Sequence, residues 1–167
     1  ITQRKEVEER LLAIDQQLRE SQRLMELAQE AGHVGFFHYQ FAADRLAWTP
    51  AQCKLFGAEE LGETGLRGWF DRIAAEDRGR IEREFWTACA VRREKETLEY
   101  CVARPDGSSR WLSSRVMLHY DADGRASQMT GVTVDMTSHR ERERERAQLT
   151  ERAMAARREA EAASRAK

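Results

Sequence analysis

Two kinds of hydrophobic spacing divide this chain. Near its start, Val7, Leu11, Ile14, Leu18, Ser21, Met25 and Ala28 recur at alternating steps of four and three, with Glu, Gln and Arg filling the positions between them. That rhythm predicts a helix from about Gln3 to Glu30 carrying one heptad seam. Gly32 and Gly35 end it. Phe36 to Phe41 has the aromatic, β-prone composition of a strand, and Arg45 to Trp48 is placed to pair with it across Ala42 to Asp44. Thr49-Pro50 suits a helix start, Thr as cap and Pro at the first helical position, with Cys53, Leu55 and Phe56 following up to Gly57. Between Gly57 and Gly68 the glycines oppose continuous regular structure, leaving Leu66, Trp69, Phe70 and Ile73 for a short helix. Asp77 is the expected cap of the next helix, whose Ile81, Phe85, Ala88 and Cys89 keep helical spacing until about Arg93.

The last third changes period. Glu96 to Arg104 alternates, with Leu98, Tyr100 and Val102 on one side and Glu99, Cys101 and Ala103 on the other. Pro105-Asp106-Gly107-Ser108 is a strong turn signal, because Pro sets φ at entry and Gly accepts a positive φ. Trp111 to Tyr120 and Gln128 to Asp135 follow as strands, separated by the turn Asp121-Ala122-Asp123-Gly124. Leu112, Val116, Leu118 and Tyr120 alternate with Trp111 and Met117, so both faces of the long strand carry apolar groups. One face packs on the short helices; the other needs cover from the entering helix or a partner chain.

After this stretch the chain turns to charge again. Met136-Thr137-Ser138-His139-Arg140-Glu141 repeats the grammar of Ile1-Thr2-Gln3-Arg4-Lys5-Glu6, and a second helix follows with Arg142, Arg146, Leu149, Ala153, Ala156, Ala160 and Ala163 in the same phase. Ser138 with Glu141 three residues on forms a capping box, and Asp135 or Thr137 is placed to accept from free amides at the helix start. Asp135, Thr137, Ser138 and Glu141 are therefore the candidate junction. The expected dimer seam comprises Val7, Leu11, Ile14, Leu18 and Met25 in the first helix and Leu149, Ala153 and Ala156 in the second. The second seam is Ala-rich and buries little, so it shifts register cheaply.

The bulk numbers fit one domain with extended ends. The chain has 167 residues, 41% hydrophobic and 34% charged, with a net charge of -1. The charge gathers at the ends, and Arg140 to Arg146 alternates in sign instead of clustering one sign, which argues against nucleic acid as a partner. Cys53, Cys89 and Cys101 form no CxxC pair and are odd in number, as expected for reduced thiols in a cytoplasmic protein. No apolar run approaches the roughly 18 residues of a membrane span, so no direct membrane insertion of this segment is expected.

Trp48, Phe56, Trp69, Phe70, Phe85, Trp86, Cys89 and Tyr100 are the candidates for lining a ligand cavity, although core packing is the ordinary role of any one of them. His33, His38, His119 and His139 show no metal-ligand spacing. No nucleophile with a base partner and no glycine-rich phosphate loop occurs, so this segment is not expected to be an enzyme.

Trp48 before the first short helix, Arg104-Pro105-Asp106-Gly107-Ser108, Arg110-Trp111-Leu112 and Gly131-Val132-Thr133-Val134-Asp135-Met136-Thr137 together resemble a PAS domain of the PAC-motif-containing bacterial type. The resemblance covers about Glu30 to Arg142. Asp135-Met136-Thr137 stands where the family usually has Asp-Ile-Thr, and Ala74-Ala75-Glu76-Asp77-Arg78 keeps only the acidic cap and Arg of the usual His-Pro-Asp-Asp-Arg. It implies an α+β fold, a five-stranded antiparallel sheet in the order 2-1-5-4-3 with short helices enclosing a ligand-sized pocket. The domains are then a signalling helix over 1–30, the PAS sensor over 31–137 and a linker helix over 138–167.

Ile1-Thr2-Gln3-Arg4-Lys5 looks like the close of a preceding PAS domain, and Glu159 to Lys167 resembles the linker that enters the phospho-accepting helix of hybrid sensor histidine kinases. The implied role is a dimeric, cytoplasmic sensor and relay for a downstream kinase, itself not catalytic. A cyclic-dinucleotide synthase or phosphodiesterase output, or a ligand-free scaffold, is the alternative. As for cofactors, Cys53 lies outside any Asn-Cys-Arg-Phe-Leu-Gln-like helix, against a LOV-type flavin adduct, and Arg78 to Arg93 lacks the histidine usual for heme. The expectation is no cofactor; noncovalent flavin stays open.

Overall fold

The computed structural model describes residues 2–32, 34–58 and 65–167. The expectation for His33 and that for the loop between Gly57 and Gly68 fall wholly or partly outside them, as does the side chain of Met25. Helix α1 (Thr2–Gly32) leads into strands β1 (Val34–Gln40) and β2 (Arg45–Trp48). Helices α2 (Pro50–Phe56), α3 (Leu66–Phe70) and α4 (Ala75–Ala90) come next, then β3 (Lys95–Ala103), β4 (Ser109–Tyr120), β5 (Ala126–Asp135) and helix α5 (Thr137–Arg165). The five strands form one antiparallel sheet in the order β2-β1-β5-β4-β3. The α+β expectation and its strand order therefore hold.

Register explains which residues meet. Phe36 lies opposite Val132 and Gly35 opposite Thr133 in the β1/β5 pair, while Ser114 lies opposite Thr133 in the β4/β5 pair. Because side chains alternate across a strand, Phe37, Tyr39, Leu98, Tyr100, Val102, Leu112, Ser114, Val116, Leu118, Met129 and Thr133 form the buried inner face. Helices α2, α3 and α4 close over it with Leu55, Phe56, Trp69, Phe70, Ile81, Phe85 and Ala88. Each large apolar side chain buried there contributes roughly 1.5–3 kcal/mol.

The local signals work as expected at most boundaries. Thr49 caps α2, its Oγ1 accepting from the Gln52 amide at 3.3 Å and from the Phe36 amide at 3.1 Å, so one hydroxyl joins the helix start to β1. Gly107 turns the β3/β4 hairpin at φ 83°, a conformation that costs a side-chain-bearing residue energy. The start of α4 differs. Helix α4 begins at Ala75, capped by Ala74 without a side-chain bond, rather than at Asp77. The Ala74 amide is satisfied by the Cys101 carbonyl at 2.8 Å, and Asp77 instead accepts from the Cys101 amide at 2.8 Å. A carboxylate read as a cap serves as a tie between α4 and β3.

The outer face of the sheet is mixed. Phe36, Met117, Thr130 and Val132 line a shallow groove of about 700 Å³ rimmed by Lys95 and Arg115. Of the two outward apolar residues expected on the long strand, Met117 lines this groove and Trp111 lies elsewhere, beneath Arg140.

Candidate functional site

Of the eight candidate cavity residues, the fold brings five into one buried cluster. Phe56, Trp69, Phe70, Phe85 and Tyr100 are each 4% exposed or less. Trp69 stacks on Phe70 with ring centroids 4.8 Å apart and meets Phe85 and Tyr100 edge-on at 5.9 and 5.8 Å, near the geometry that aromatic quadrupoles favour. Trp48 joins at the margin, 4.4 Å from Phe56, and Cys89 is partly buried against the same core. Trp86 does not belong to this interior. It follows Phe85 on α4, and a step of about 100° around the helix turns it outward, where it is 50% exposed. Burial pushes the Cys89 thiol up to about 11 and the Tyr100 hydroxyl up to about 12. Both stay protonated at neutral pH.

A polar thread runs through this apolar interior. Trp69 Nε1 donates to Tyr100 Oη at 3.2 Å, Tyr100 Oη and Ser114 Oγ are 2.8 Å apart, Ser114 Oγ and Thr133 Oγ1 are 2.8 Å apart, and Gln52 Nε2 donates to Thr133 Oγ1 at 3.0 Å. Gln52, Ser114 and Thr133 are at most 1% exposed. Sequence reasoning missed all three. The usable signal is phase: Ser114 lies in register with Leu112, Val116 and Leu118, so a polar residue occupies an inward position. Gln52 reaches the thread because β1 offers no side chain at Gly35, where a Cβ would stand 2.1 Å from Gln52 Oε1.

A second polar hub holds α3. Asp44, at φ 44°, accepts from the Tyr39 hydroxyl at 2.6 Å and from the Leu66 amide at 3.0 Å. The Tyr39 bond, then the Leu66 amide, hold the Asp44 carboxyl below the usual carboxylate range.

At the output end, strand passes into helix almost without a loop. The Met136 amide donates to the Trp111 carbonyl at 2.7 Å, and the Trp111 amide donates to Thr137 Oγ1 at 2.9 Å. Asp135 Oδ1 accepts from the Thr137 amide at 2.9 Å. The expected capping box of Ser138 and Glu141 is not formed. The bond to Trp111 holds Met136 just past the end of β5, the helix begins at Thr137, and Ser138 is already inside the first turn. Arg140 lies 3.9 Å over the Trp111 ring and pairs with Glu99 of β3 at 3.2 Å. The first turn of α5 is thus tied to two strands by contacts that sequence spacing does not show.

The described seam positions of the flanking helices face solvent. Val7, Leu11, Ile14 and Leu18 are 54–61% exposed and Leu149 is 59% exposed, with Ala153 and Ala156 also exposed. Among the described residues no helix is long and apolar enough to cross a membrane.

The family described as PAS fold matches residues 45–133, which span β2 through most of β5. This chain belongs to that family. Its PAS domain is similar in structure to a sensory box histidine kinase/response regulator from Burkholderia thailandensis, with a TM-score of 0.63 at 22% identity over 78% of this chain and 97% of that one. The N-terminal domain of a diguanylate cyclase with PAS/PAC sensor from Marinobacter aquaeolei gives a TM-score of 0.57 at 15% identity over 64% and 98%. At these identities the likeness is one of fold. By sequence the chain is 31% identical over 80 residues to the uncharacterized protein y4lL of Sinorhizobium fredii, covering 48% of this chain and 10% of that protein's length. PAS domains are sensory modules without catalysis of their own, in agreement with the reading of this segment as no enzyme.

Proposed function

We propose that this PAS domain is the sensing or relaying module of a larger cytoplasmic chain, and that it works as a homodimer through α1 and α5. The observation that carries the reading is the pairing of a pinned junction with bare seams. Helix α5 leaves the sheet through a backbone bond at Met136 and a bond to the Thr137 hydroxyl, while Val7, Leu11, Ile14 and Leu18 stand in solvent at heptad spacing. Such seams lower their free energy by packing on a second copy. In this scheme residues 1–30 receive the signal from an upstream PAS domain, 31–137 form the sensor and 138–167 pass the signal on. The groove at Phe36 and Val132 gives a partner helix a further apolar surface.

The output we favour is a histidine kinase, with Asp135, Thr137 and Arg140 setting the angle at which α5 departs. A diguanylate cyclase is the second reading, supported by the fold shared with a domain from such an enzyme. The coding sequence beyond Lys167 decides between them: a histidine-bearing dimerisation helix marks the kinase, a Gly-Gly-(Asp/Glu)-Glu-Phe motif the cyclase. Light scattering on the purified chain tests the dimer. Two chains per particle are expected, and a monomer at high concentration with both helices intact overturns the proposal. Whether the aromatic interior admits a small molecule, noncovalent flavin among them, is read by visible absorption and by mass spectrometry of the supernatant after denaturation.

A further inference from the structure

Strict alternation of charge suits an isolated helix poorly. From Arg140 to Arg146 like charges fall four residues apart and opposite ones three apart. Among the described residues the ion pairs of α5 are His139–Glu143, Arg140–Glu99 and Arg157–Glu161. Glu141, Arg142, Arg144, Glu145 and Arg146 enter none of these and are exposed. Arg142 Nε donates to a neutral group, the Ser138 carbonyl, at 3.2 Å.

The docked side of α5 fixes where these charges point. Arg140 lies over Trp111 and pairs with Glu99, so its side of the helix is against the sheet. At about 100° per residue, Arg142, Leu149 and Arg146 stand about 200°, 180° and 240° round from Arg140. The seam is thus turned away from its own domain. Its steps of four and three make Arg142 and Leu149 d positions and Arg146 an a position. In a parallel, in-register pair, a side chain at d packs beside the e residue of the facing helix, and one at a beside the g residue. Those neighbours are Glu143 for Arg142 and Glu145 for Arg146, whereas Leu149, Ala153 and Ala156 have Thr150, Arg152 and Arg157. The acids stand where the seam holds arginine. An antiparallel pair would carry them to the far end of the helix from the other copy's arginines.

We propose that the first turns of α5 form an ionic zipper with a second copy of this chain, Arg142 meeting Glu143 and Arg146 meeting Glu145 across a parallel interface. This rests on the homodimer reading and specifies the chemistry and register of one of its two seams. Without the acids, two pairs of guanidinium groups would face each other at the seam. Salt screens exposed ion pairs, but it does not weaken apolar burial such as that offered by Val7, Leu11, Ile14 and Leu18 of α1. Rising ionic strength therefore loosens α5 within a dimer that α1 still holds.

The test uses the full 167-residue chain with one added cysteine, Ala153→Cys in one protein and Ala163→Cys in another. Disulfide formation between copies under oxidised glutathione is timed, the unsubstituted chain giving the background from Cys53, Cys89 and Cys101. Joining at both positions is expected, since a centred antiparallel pair brings together the copies of Ala153 but not those of Ala163. Raising NaCl from about 0.02 to 0.5 M should slow joining about fivefold while light scattering still reports two chains. Arg142→Glu with Arg146→Glu should slow it about tenfold at low salt, and adding Glu143→Arg and Glu145→Arg should restore it to within about twofold. The two arginine replacements put acids near the start of α5, which the helix dipole favours, so slower joining is not a loss of helix. A dimer whose α5 cysteines do not both join, or whose rate ignores salt and charge reversal, overturns the zipper alone. A dimer that stays slow after the full exchange does the same. A monomer by light scattering removes the homodimer reading and the zipper with it.

Discussion

A methyl group at Gly35 has no room. It would meet Gln52 Oε1 at 2.1 Å and Gln52 Cα at 2.6 Å, so both the amide and the backbone of α2 must give way. Gly35→Ala is expected to lower stability by about 2 kcal/mol, the usual cost of overpacking a core, as measured by urea unfolding. Asp44 makes a pH-dependent contribution. The Tyr39 hydroxyl and the Leu66 amide hold its folded-state pKa below the usual carboxylate range, so the stabilisation is present above that range and is lost as pH falls through the lower folded pKa. In acid titrations followed by circular dichroism, wild type should lose stability below about pH 4 more steeply than Asp44→Asn. At this scale the aromatic interior is legible in the sequence, because Phe56, Trp69, Phe85 and Tyr100 are large, apolar and in phase with their elements. The polar thread is not, because Ser114 and Thr133 are ordinary strand residues until the register sets them opposite each other.

Elements read well where period and punctuation agree. The strands after Gly57, the Thr49-Pro50 helix start and the turn at Gly107 all follow from signals a few residues long. Two helix starts fail for one shared reason. At Asp77 and at Ser138 the local cap is outbid by a tertiary partner, Cys101 in one case and Trp111 in the other. The Trp111 contact makes a prediction for α5. Arg140 sits over the indole, whereas its ion pair with Glu99 joins two side chains that are 42% and 54% exposed and contributes little. Trp111→Ala should therefore cost about 1 kcal/mol of junction stability. Hydrogen exchange of the amides of Arg140 and its neighbours in the first turn should quicken about fivefold, whereas Glu99→Gln should leave it almost unchanged.

For the whole molecule, the sheet and its helical cover form a closed core, and apolar surface remains on α1, on α5 and in the groove at Phe36. Leu18→Glu places a charge in the proposed seam and is expected to weaken dimerisation about a hundredfold or more, read by sedimentation at several concentrations. The PAS core should keep its melting temperature, since Leu18 lies outside it. A change in melting temperature without dissociation would count against the pairing of α1.

The bonds from Met136 and Thr137 to Trp111 fix the compass bearing of α5 by main chain as well as side chain. Rotation of this rod must therefore begin as shear between neighbouring strands, and residue count along the rod acts as gearing. One residue added after Arg146 swings everything distal by about 100°, whereas seven bring it back to within about 20°.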